Sequence, residues 1–123
     1  MRAASAEAAA NKWAVTIVIV DETGAPVLLE RKGAAAISAE IAMGKARTAA
    51  LLGKETAVLE KAANGDSAKA ARIALVSSPL TLMEGGVPIL VDGVCVGAVG
   101  VSGVRSDQDA QIAKKGVAAL STL

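Results

Sequence analysis

A two-residue Asp-Gly sequence between two apolar runs places the strongest constraint on the fold of this chain. Asp92-Gly93 separates residues 87–91 from residues 94–102, and both runs are rich in valine. This pair favours the tight turn of a β-hairpin because both of its residues tolerate positive φ. The apolar residues 80–83 precede the hairpin, separated from it by Gly85-Gly86. We therefore expect residues 80–102 to form a three-stranded antiparallel meander.

A second hairpin is predicted nearer the N-terminus. Residues 15–20 are β-branched throughout, residues 21–24 have the composition of a turn, and residues 27–29 return as a short strand. The first of these strands does not alternate apolar with polar residues, which indicates that both of its faces are covered.

Helices are predicted around the two hairpins. A helix over residues 38–52 is expected to begin at an N-cap, Ser38, and to stop at Gly53. The last helix opens at Ser106-Asp107-Gln108-Asp109, which resembles a capping box with Asp in place of Glu. Three further helices are predicted over residues 3–12, 55–63 and 68–76, the last capped by Asp66 or Ser67. Five antiparallel strands with helices on both faces make an α/β/α sandwich, and we expect one domain over residues 1–123.

The residue types that are missing exclude several classes of function. The chain has no His, Phe or Tyr, one Trp and one Cys. No imidazole is present to act as a base or a metal ligand, and a single Cys cannot form an internal disulfide, which is typical of the cytoplasm. A formal charge of +1, with Trp13 as the sole aromatic residue, provides neither the basic surface nor the stacking platform of a nucleic-acid-binding protein.

The apolar residues favour association between subunits. Hydrophobic residues make up 53% of the chain, and alanine alone makes up roughly a quarter. No apolar run approaches the ~20 residues of a membrane helix, and residues 1–12 predict a short helix and not a signal peptide. We expect a cytoplasmic homo-oligomer that has no membrane or nucleic-acid partner.

A run of very small residues on one face of the longest predicted strand is the first candidate site. Ala98, Gly100 and Ser102 share this face by the two-residue period of a strand. Such a surface lets another group approach the backbone, and that group is either a packed helix or a ligand. Gly103 leads into the N-terminus of the last helix, where Asp109 adds negative charge and disfavours an anion.

Lys45 and the segment Glu84-Gly85-Gly86 are the other candidates. The two glycines permit close approach of the backbone, and Pro88 indicates a strand that is kinked, bulged or at an edge. The stem of Lys45 runs along an apolar row of its predicted helix, which leaves two alternatives. The lysine is either desolvated and able to hold a carboxylate or form a Schiff base, or its ammonium extends to solvent.

The sulfur-containing residues are interpreted as packing residues. With no His to act as its base, Cys95 is taken as a small hydrophobe of a strand, and Met43 and Met83 are taken as gap fillers. No metal-ligand cluster and no nucleotide-binding motif is found in the sequence.

Several segments together carry a family resemblance. They are residues 41–49, 85–89, 92–93, 96–103, 108–109 and 112–113. In matching order and over nearly the whole chain, they resemble the GlcG/HbpS-like family, which includes the C-terminal domain of PduO-type proteins. The residues of this shared pattern are Lys45, Gly85, Gly86, Pro88, Gly100, Ser102, Gly103 and Asp109.

The resemblance implies a profilin-like fold with a five-stranded antiparallel sheet, and assembly into a homo-oligomer. Members of the family include haem-binding proteins, a redox-sensor accessory and small proteins encoded beside catabolic pathways. Because this chain has no His, His ligation of haem is not carried over to it, and its cofactor, if it has one, is not identified.

Three hypotheses follow. The first is an accessory protein of a catabolic pathway that binds a small carboxylated or planar molecule in a cleft. That cleft would be lined by Lys45, Glu84, Gly85, Gly86, Ser102, Gly103 and Asp109. The second is an isomerase or lyase of small oxo-acids that uses Lys45 with Asp109 or Glu84 as acid and base. The third is haem binding without His.

Overall fold

The computed structural model describes residues 1–65 and 80–122. It has four helices and four strands over these residues, followed by a short 3₁₀ helix, Ala119–Thr122. In chain order they are α1 (Arg2–Ala10), β1 (Thr16–Asp21), β2 (Pro26–Arg31), α2 (Ile37–Leu52), α3 (Thr56–Ala63), β3 (Gly86–Val91), β4 (Val94–Ser102) and α4 (Ser106–Ala118). The helix predicted over residues 68–76 lies outside the described residues.

The four strands form one antiparallel sheet in the order β2-β1-β4-β3. Both predicted hairpins are confirmed. In the β3–β4 turn Asp92 and Gly93 have φ of 52° and 79°, the geometry that Asp-Gly favours. Pro88 lies in β3, an edge strand, where its missing N–H is tolerated.

The expected fifth strand is absent from the described residues, and this prediction is wrong. Residues 80–83 form no ladder, because they cross the outer face of α2 instead of the sheet. The backbone N–H of Thr81 donates to Thr48 Oγ1 of α2 at 2.8 Å. The side chain of Thr81 also occupies the space that a Cβ of Gly44 would need. An apolar run of four residues does not by itself distinguish these two environments.

Helices cover both faces of the sheet. On one face α2 packs Ala42, Ala46 and Ala49 against Val18 and Val20 of β1. On the other face, α1 and α4 pack against the same two central strands; the buried residues of this cluster include Ala4, Ala8, Ile17, Val99, Val101, Ile112 and Ala113. The non-alternating strand β1 is therefore covered on both sides, as its sequence predicts.

The termini of α2 fit the prediction at one end only. The helix ends at Gly53, which adopts the left-handed conformation with φ of 64°. At the other end the N-cap is Ala36 and not Ser38. The hydroxyl of Ser38 lies within the first turn, where it contacts Ala35 O at 2.5 Å and Thr16 Oγ1 of β1 at 2.7 Å. The serine therefore joins the helix to the sheet.

Candidate functional site

Lys45 is fully buried between α2, the end of β4 and the start of α4. Its side chain has 0% exposure, and its ammonium group does not reach solvent. Nζ donates to Asp109 Oδ2 at 3.0 Å and to the carbonyl oxygen of Val101 at 2.9 Å. Burial without these partners would cost the ammonium several kcal/mol. Of the two alternatives for Lys45, the structure therefore has the desolvated lysine, already holding a carboxylate of its own chain.

Asp109 serves as the partner of Lys45, whereas the capping-box pattern had placed it at the helix terminus. Its Oδ1 accepts a hydrogen bond from the Val104 N–H at 3.2 Å, and its side chain is 2% exposed. At the terminus of α4 the N-cap is Arg105, whose N–H donates to Gln108 Oε1 at 3.3 Å. Burial raises the pKa of the Asp109 carboxyl, and the Lys45 ammonium and the Val104 N–H offset this only in part.

Gly85 and Gly86 approach Lys45 from the other side, Gly85 at the ammonium and Gly86 at the backbone carbonyl. Gly85 has φ of +132°, and a Cβ there would lie 2.8 Å from both Lys45 Nζ and Val101 O. A Cβ on Gly86 would collide with the carbonyl of Lys45. The two glycines are therefore required for the close approach of this loop to Lys45. The loop is fixed further by Val101 N–H, which donates to Gly85 O at 3.0 Å.

The structure brings Lys45, Gly85, Gly86 and Asp109 together, whereas the other three predicted site residues make no hydrogen bond to Lys45 or Asp109. Ser102 is 7% exposed and pairs with Thr16 in the sheet. Gly103, with φ of +146°, packs against the carbonyl of Ala14. Glu84 lines a surface groove and forms no hydrogen bond or ion pair with Lys45; its backbone N–H donates to Glu60 Oε2 at 3.3 Å.

The small-residue face of β4 is occupied by a helix. A Cβ on Gly100 would collide with the carbonyl of Ala42 and would lie 2.8 Å from Cβ of Ala46, both on α2. Ala98 is fully buried in the same layer. Of the two alternatives for this face, helix packing is correct at Ala98 and Gly100.

Glu84 forms one wall of a groove of about 550 Å³, which we call the α4 groove. The other wall is one side of α4, which is exposed except at the buried Ala110; its residues are Asp107, Ala110, Gln111, Lys114, Lys115 and Ala118. These positions recur at intervals of three and four residues, as expected for one face of a helix. This spacing is visible in the sequence, but a polar helix face ordinarily indicates contact with solvent, so sequence reasoning did not single it out.

Two of the charged groups in the α4 groove are already paired within the chain. Asp107 forms an ion pair with Arg105 at 3.1 Å, and Lys114 lies 3.7 Å from Glu55. Among the described residues, the side chains of Glu84 and Lys115 have no hydrogen bond or ion pair. A carboxylate and an ammonium are therefore both available in one groove.

Cys95 is half-buried in β4, and its Sγ lies 3.4 Å from Ala50 O and 3.3 Å from Gly97 O. Among residues 1–65 and 80–122 no group of three or more Cys, Asp or Glu side chains is arranged to hold a metal ion. Within the same residues, none of the helices is both long and apolar enough to cross a membrane.

Comparison with known proteins gives consistent matches over most of the chain. A family model described as "Haem degrading protein HbpS-like" matches residues 1–118. The Escherichia coli K12 protein GlcG is 46% identical over 98 residues, which are 78% of this chain and 69% of GlcG.

Two solved structures have nearly the same fold. Klebsiella pneumoniae protein ORFY superposes with a TM-score of 0.90 at 27% identity, over 99% of this chain and 85% of ORFY. PduOC, solved in complex with haem, superposes with a TM-score of 0.87 at 29% identity, over 96% of this chain and 86% of PduOC. The α/β fold is therefore shared with proteins of known structure.

Proposed function

This chain belongs to the HbpS-like family, and from that premise we propose that it is a small-molecule-binding protein whose ligand lies in the α4 groove. The observation that carries the proposal is a pair of charges in this groove that have no partner in the described part of the chain, the carboxylate of Glu84 and the ammonium of Lys115. Convergent polar groups on a concave surface are the usual mark of a ligand site.

The ligand class follows from these charges. A small carboxylic acid would place its carboxylate against Lys115 and a hydroxyl or amino group against Glu84, with its carbon atoms on the exposed Ala118. Lys114 and Asp107 are already paired within the chain. They therefore line the groove but are not assigned a charge contact with the ligand. The carboxylated ligand of the first hypothesis is therefore retained, at a site that contains Glu84 but not Lys45.

The Lys45–Asp109 pair acts in this proposal as a positioning element. It joins α2 to the first turn of α4, and the same ammonium occupies the space that a side chain on Gly85, the residue after Glu84, would need. Both walls of the α4 groove are thereby fixed by one buried group. Asp109 and Gly85 do not touch the ligand in this proposal. They affect its binding only because they position the two walls of the groove.

The setting we propose is that of a cytoplasmic accessory protein of a catabolic pathway, assembled as a homo-oligomer. Supporting evidence comes from the lone Cys, the family resemblance and the large aliphatic residues exposed on β2, α2 and the β3–β4 hairpin. Solvent-exposed aliphatic patches of this kind commonly mark subunit contacts.

An isomerase or lyase is less well supported. The acid–base pair of that hypothesis is Lys45 with Asp109 or Glu84. Lys45 has 0% exposure and its ammonium is bound to Asp109 and Val101. The ammonium is therefore not accessible to a substrate. A general acid or base must lie within hydrogen-bond reach of the substrate.

The residues of this chain do not fit ligation of haem iron. PduOC binds haem, but this chain has no His and no Tyr, and Cys95 directs its sulfur toward two backbone carbonyls. Of the three methionines, Met1 packs against the core formed with α1 and α4, Met43 lies half-buried beside Arg47 and Met83 is 47% exposed. No step through haem is assigned to this protein.

A thermal-shift screen of small carboxylic acids tests the proposal. A ligand present at 100 times its dissociation constant adds about 2.7 kcal/mol to the free energy of unfolding. We expect Lys115→Ala and Glu84→Ala each to weaken binding of a hit about tenfold or more. Lys61→Ala, at an exposed lysine of α3 outside the groove, is the matched control and should bind normally. Hits that bind both groove variants as tightly as the parent, or a screen without hits, would exclude this site.

A further inference from the structure

The outer face of α2 carries a stripe of residues that the proposed ligand site does not use. These residues, which we call the α2 stripe, are Ile37, Glu40, Met43, Gly44, Arg47 and Leu51. At 100° per residue they fall within about 120° of the helix circumference. Ile37 is 59% exposed and Leu51 is 49% exposed. The α2 stripe therefore has a large, exposed aliphatic side chain at each of its two ends.

The two charges of the α2 stripe have no partner among residues 1–65 and 80–122. Glu40 and Arg47 are exposed, and neither side chain makes a hydrogen bond or ion pair with a described residue. They lie seven residues apart on the same side of the helix, a separation of about 10 Å along its axis. This distance is too long for a direct ion pair, so the subunit presents a separated carboxylate and guanidinium.

The order of residues along the stripe is nearly palindromic. An aliphatic residue lies at each end, a charge of opposite sign lies inside each of these, and Met43 and Gly44 lie at the centre. A twofold axis through this centre would place α2 antiparallel to its copy. Glu40 would then face Arg47 of the second copy, and Ile37 would lie close to Leu51 of the second copy. Self-complementarity of this kind is the requirement of an isologous interface.

The neighbouring surface extends the same apolar face. A groove of about 410 Å³ runs between α2 and the edge strand β2, and its lining includes Leu29, Met43, Arg47 and Thr81. Leu29 is 45% exposed, and Val27, the extra residue at the bulge of β2, is 65% exposed. Thr81 covers Gly44, so the centre of the face is formed by Thr81 and Met43.

We propose that the α2 stripe and the adjoining side of β2 form a twofold interface with a second copy of this chain, in which Glu40 of each copy pairs with Arg47 of the other. The aliphatic residues bury apolar area, and the two symmetric ion pairs fix the antiparallel register. The inference specifies the homo-oligomer of the proposed function, and it holds whether or not the α4 groove binds a ligand.

Charge reversal tests the interface. Glu40→Arg places two arginines opposite each other at both symmetric positions, and Arg47→Glu does the same with two glutamates. Each single variant should form dimers about tenfold more weakly or worse, because like charges oppose association. Sedimentation velocity should show wild type as a dimer, or a multiple of one, and each single variant as an assembly of half that size or smaller.

Two recombined forms should restore the assembly. The double variant Glu40→Arg/Arg47→Glu exchanges the charges and regenerates both pairs. An equimolar mixture of the two single variants should also form dimers, because the chain with two arginines faces the chain with two glutamates. Arg2→Glu, on α1 at the opposite face of the sheet, is the matched control and should leave the size unchanged. Circular dichroism and thermal unfolding check that every variant is folded.

The outcomes are distinct. Restoration in the double variant and in the mixture supports the interface. A folded wild type that stays monomeric throughout the micromolar range overturns it and leaves the stripe to a different partner. Single variants that keep the wild-type size, or folded double variants that stay dissociated, also overturn it. None of these measurements includes a ligand, so they do not bear on the α4 groove, and a failed ligand screen does not bear on the interface.

Discussion

Lys45 Nζ and Asp109 Oδ2 lie 3.0 Å apart, and their side chains are 0% and 2% exposed. The two residues are 64 positions apart in the sequence, and their contact joins α2 on one face of the sheet to α4 on the other. The Val101 carbonyl and the Val104 N–H supply one further hydrogen bond to each partner. The pair is therefore desolvated, and each partner has a second hydrogen bond, to the backbone.

Removing one partner should destabilise the protein strongly. Lys45→Met leaves the carboxylate of Asp109 buried without its counter-ion, and Asp109→Leu does the same to the ammonium. Each change should lower the free energy of unfolding by about 3–5 kcal/mol. The double variant Lys45→Met/Asp109→Leu should lose clearly less than the sum, because neither charge remains. Urea unfolding of the four proteins measures this coupling.

The exposed ion pair between Lys114 and Glu55 is the control for that cycle. Its atoms lie 3.7 Å apart and its side chains are 58% and 37% exposed. Lys114→Met should therefore cost less than about 1 kcal/mol. Two results would contradict the role assigned to Lys45 and Asp109. In the first, breaking the buried pair lowers the free energy of unfolding no more than Lys114→Met does. In the second, the loss in the double variant equals the sum of the two single losses.

The same carboxyl should give stability a distinct dependence on pH. Because burial raises the pKa of Asp109 above its ordinary 3.8, the folded state keeps a proton that the unfolded chain has released. The contribution of this group is complete below pH 3.8 and is lost as the pH rises through the higher folded pKa. The difference in unfolding free energy between wild type and Asp109→Asn should therefore fall with rising pH in this window. A difference that rises there would mean that the folded pKa is lowered.

Short-range features of the fold were predictable from the sequence because local chemistry decides them. Asp92-Gly93 specifies a turn with two positive φ values, which the structure has. Gly53 ends α2 in the left-handed conformation. The β-branched run of β1 is buried from both sides, as its lack of alternation indicates. In each case, the residues that determine the structure are neighbours in the chain.

Features that depend on distant segments were less accessible. The run at residues 80–83 has the composition of a strand, but the hydroxyl of Thr48 on α2 accepts the Thr81 N–H and holds the run against that helix. The sequence left two alternatives for Lys45, a desolvated lysine or one whose ammonium extends to solvent. Only the packing of α4 in the folded protein shows that Asp109 binds this ammonium. Lys115 was missed because an exposed lysine on a polar helix face carries no local signal.

Haemin titration should show no axial ligation of the iron by this protein. Its sequence supplies no His and no Tyr, and the sulfur of Cys95 contacts backbone carbonyls of Ala50 and Gly97. We expect the absorption spectrum of haemin to keep the broad Soret band of the free compound as protein is added. A sharp, saturable Soret band in the wild type that disappears in Met43→Leu would instead assign a thioether ligand and contradict this prediction.

Gly100 should tolerate no side chain, since the backbone of α2 lies directly over it. A Cβ at this position would collide with the carbonyl of Ala42 and lie 2.5 Å from the Ala46 nitrogen. These are backbone atoms of a helix and cannot move aside singly, so Gly100→Ala should lower the free energy of unfolding by about 1–3 kcal/mol. Gly65→Ala is the matched control. Its Cβ would make an ordinary 3.4 Å contact with Ala62 O, and the loss of unfolded-state freedom should leave it neutral or stabilised by up to about 1 kcal/mol. Urea unfolding that ranks the two variants equally would show that the helix is not in contact with β4 at this glycine.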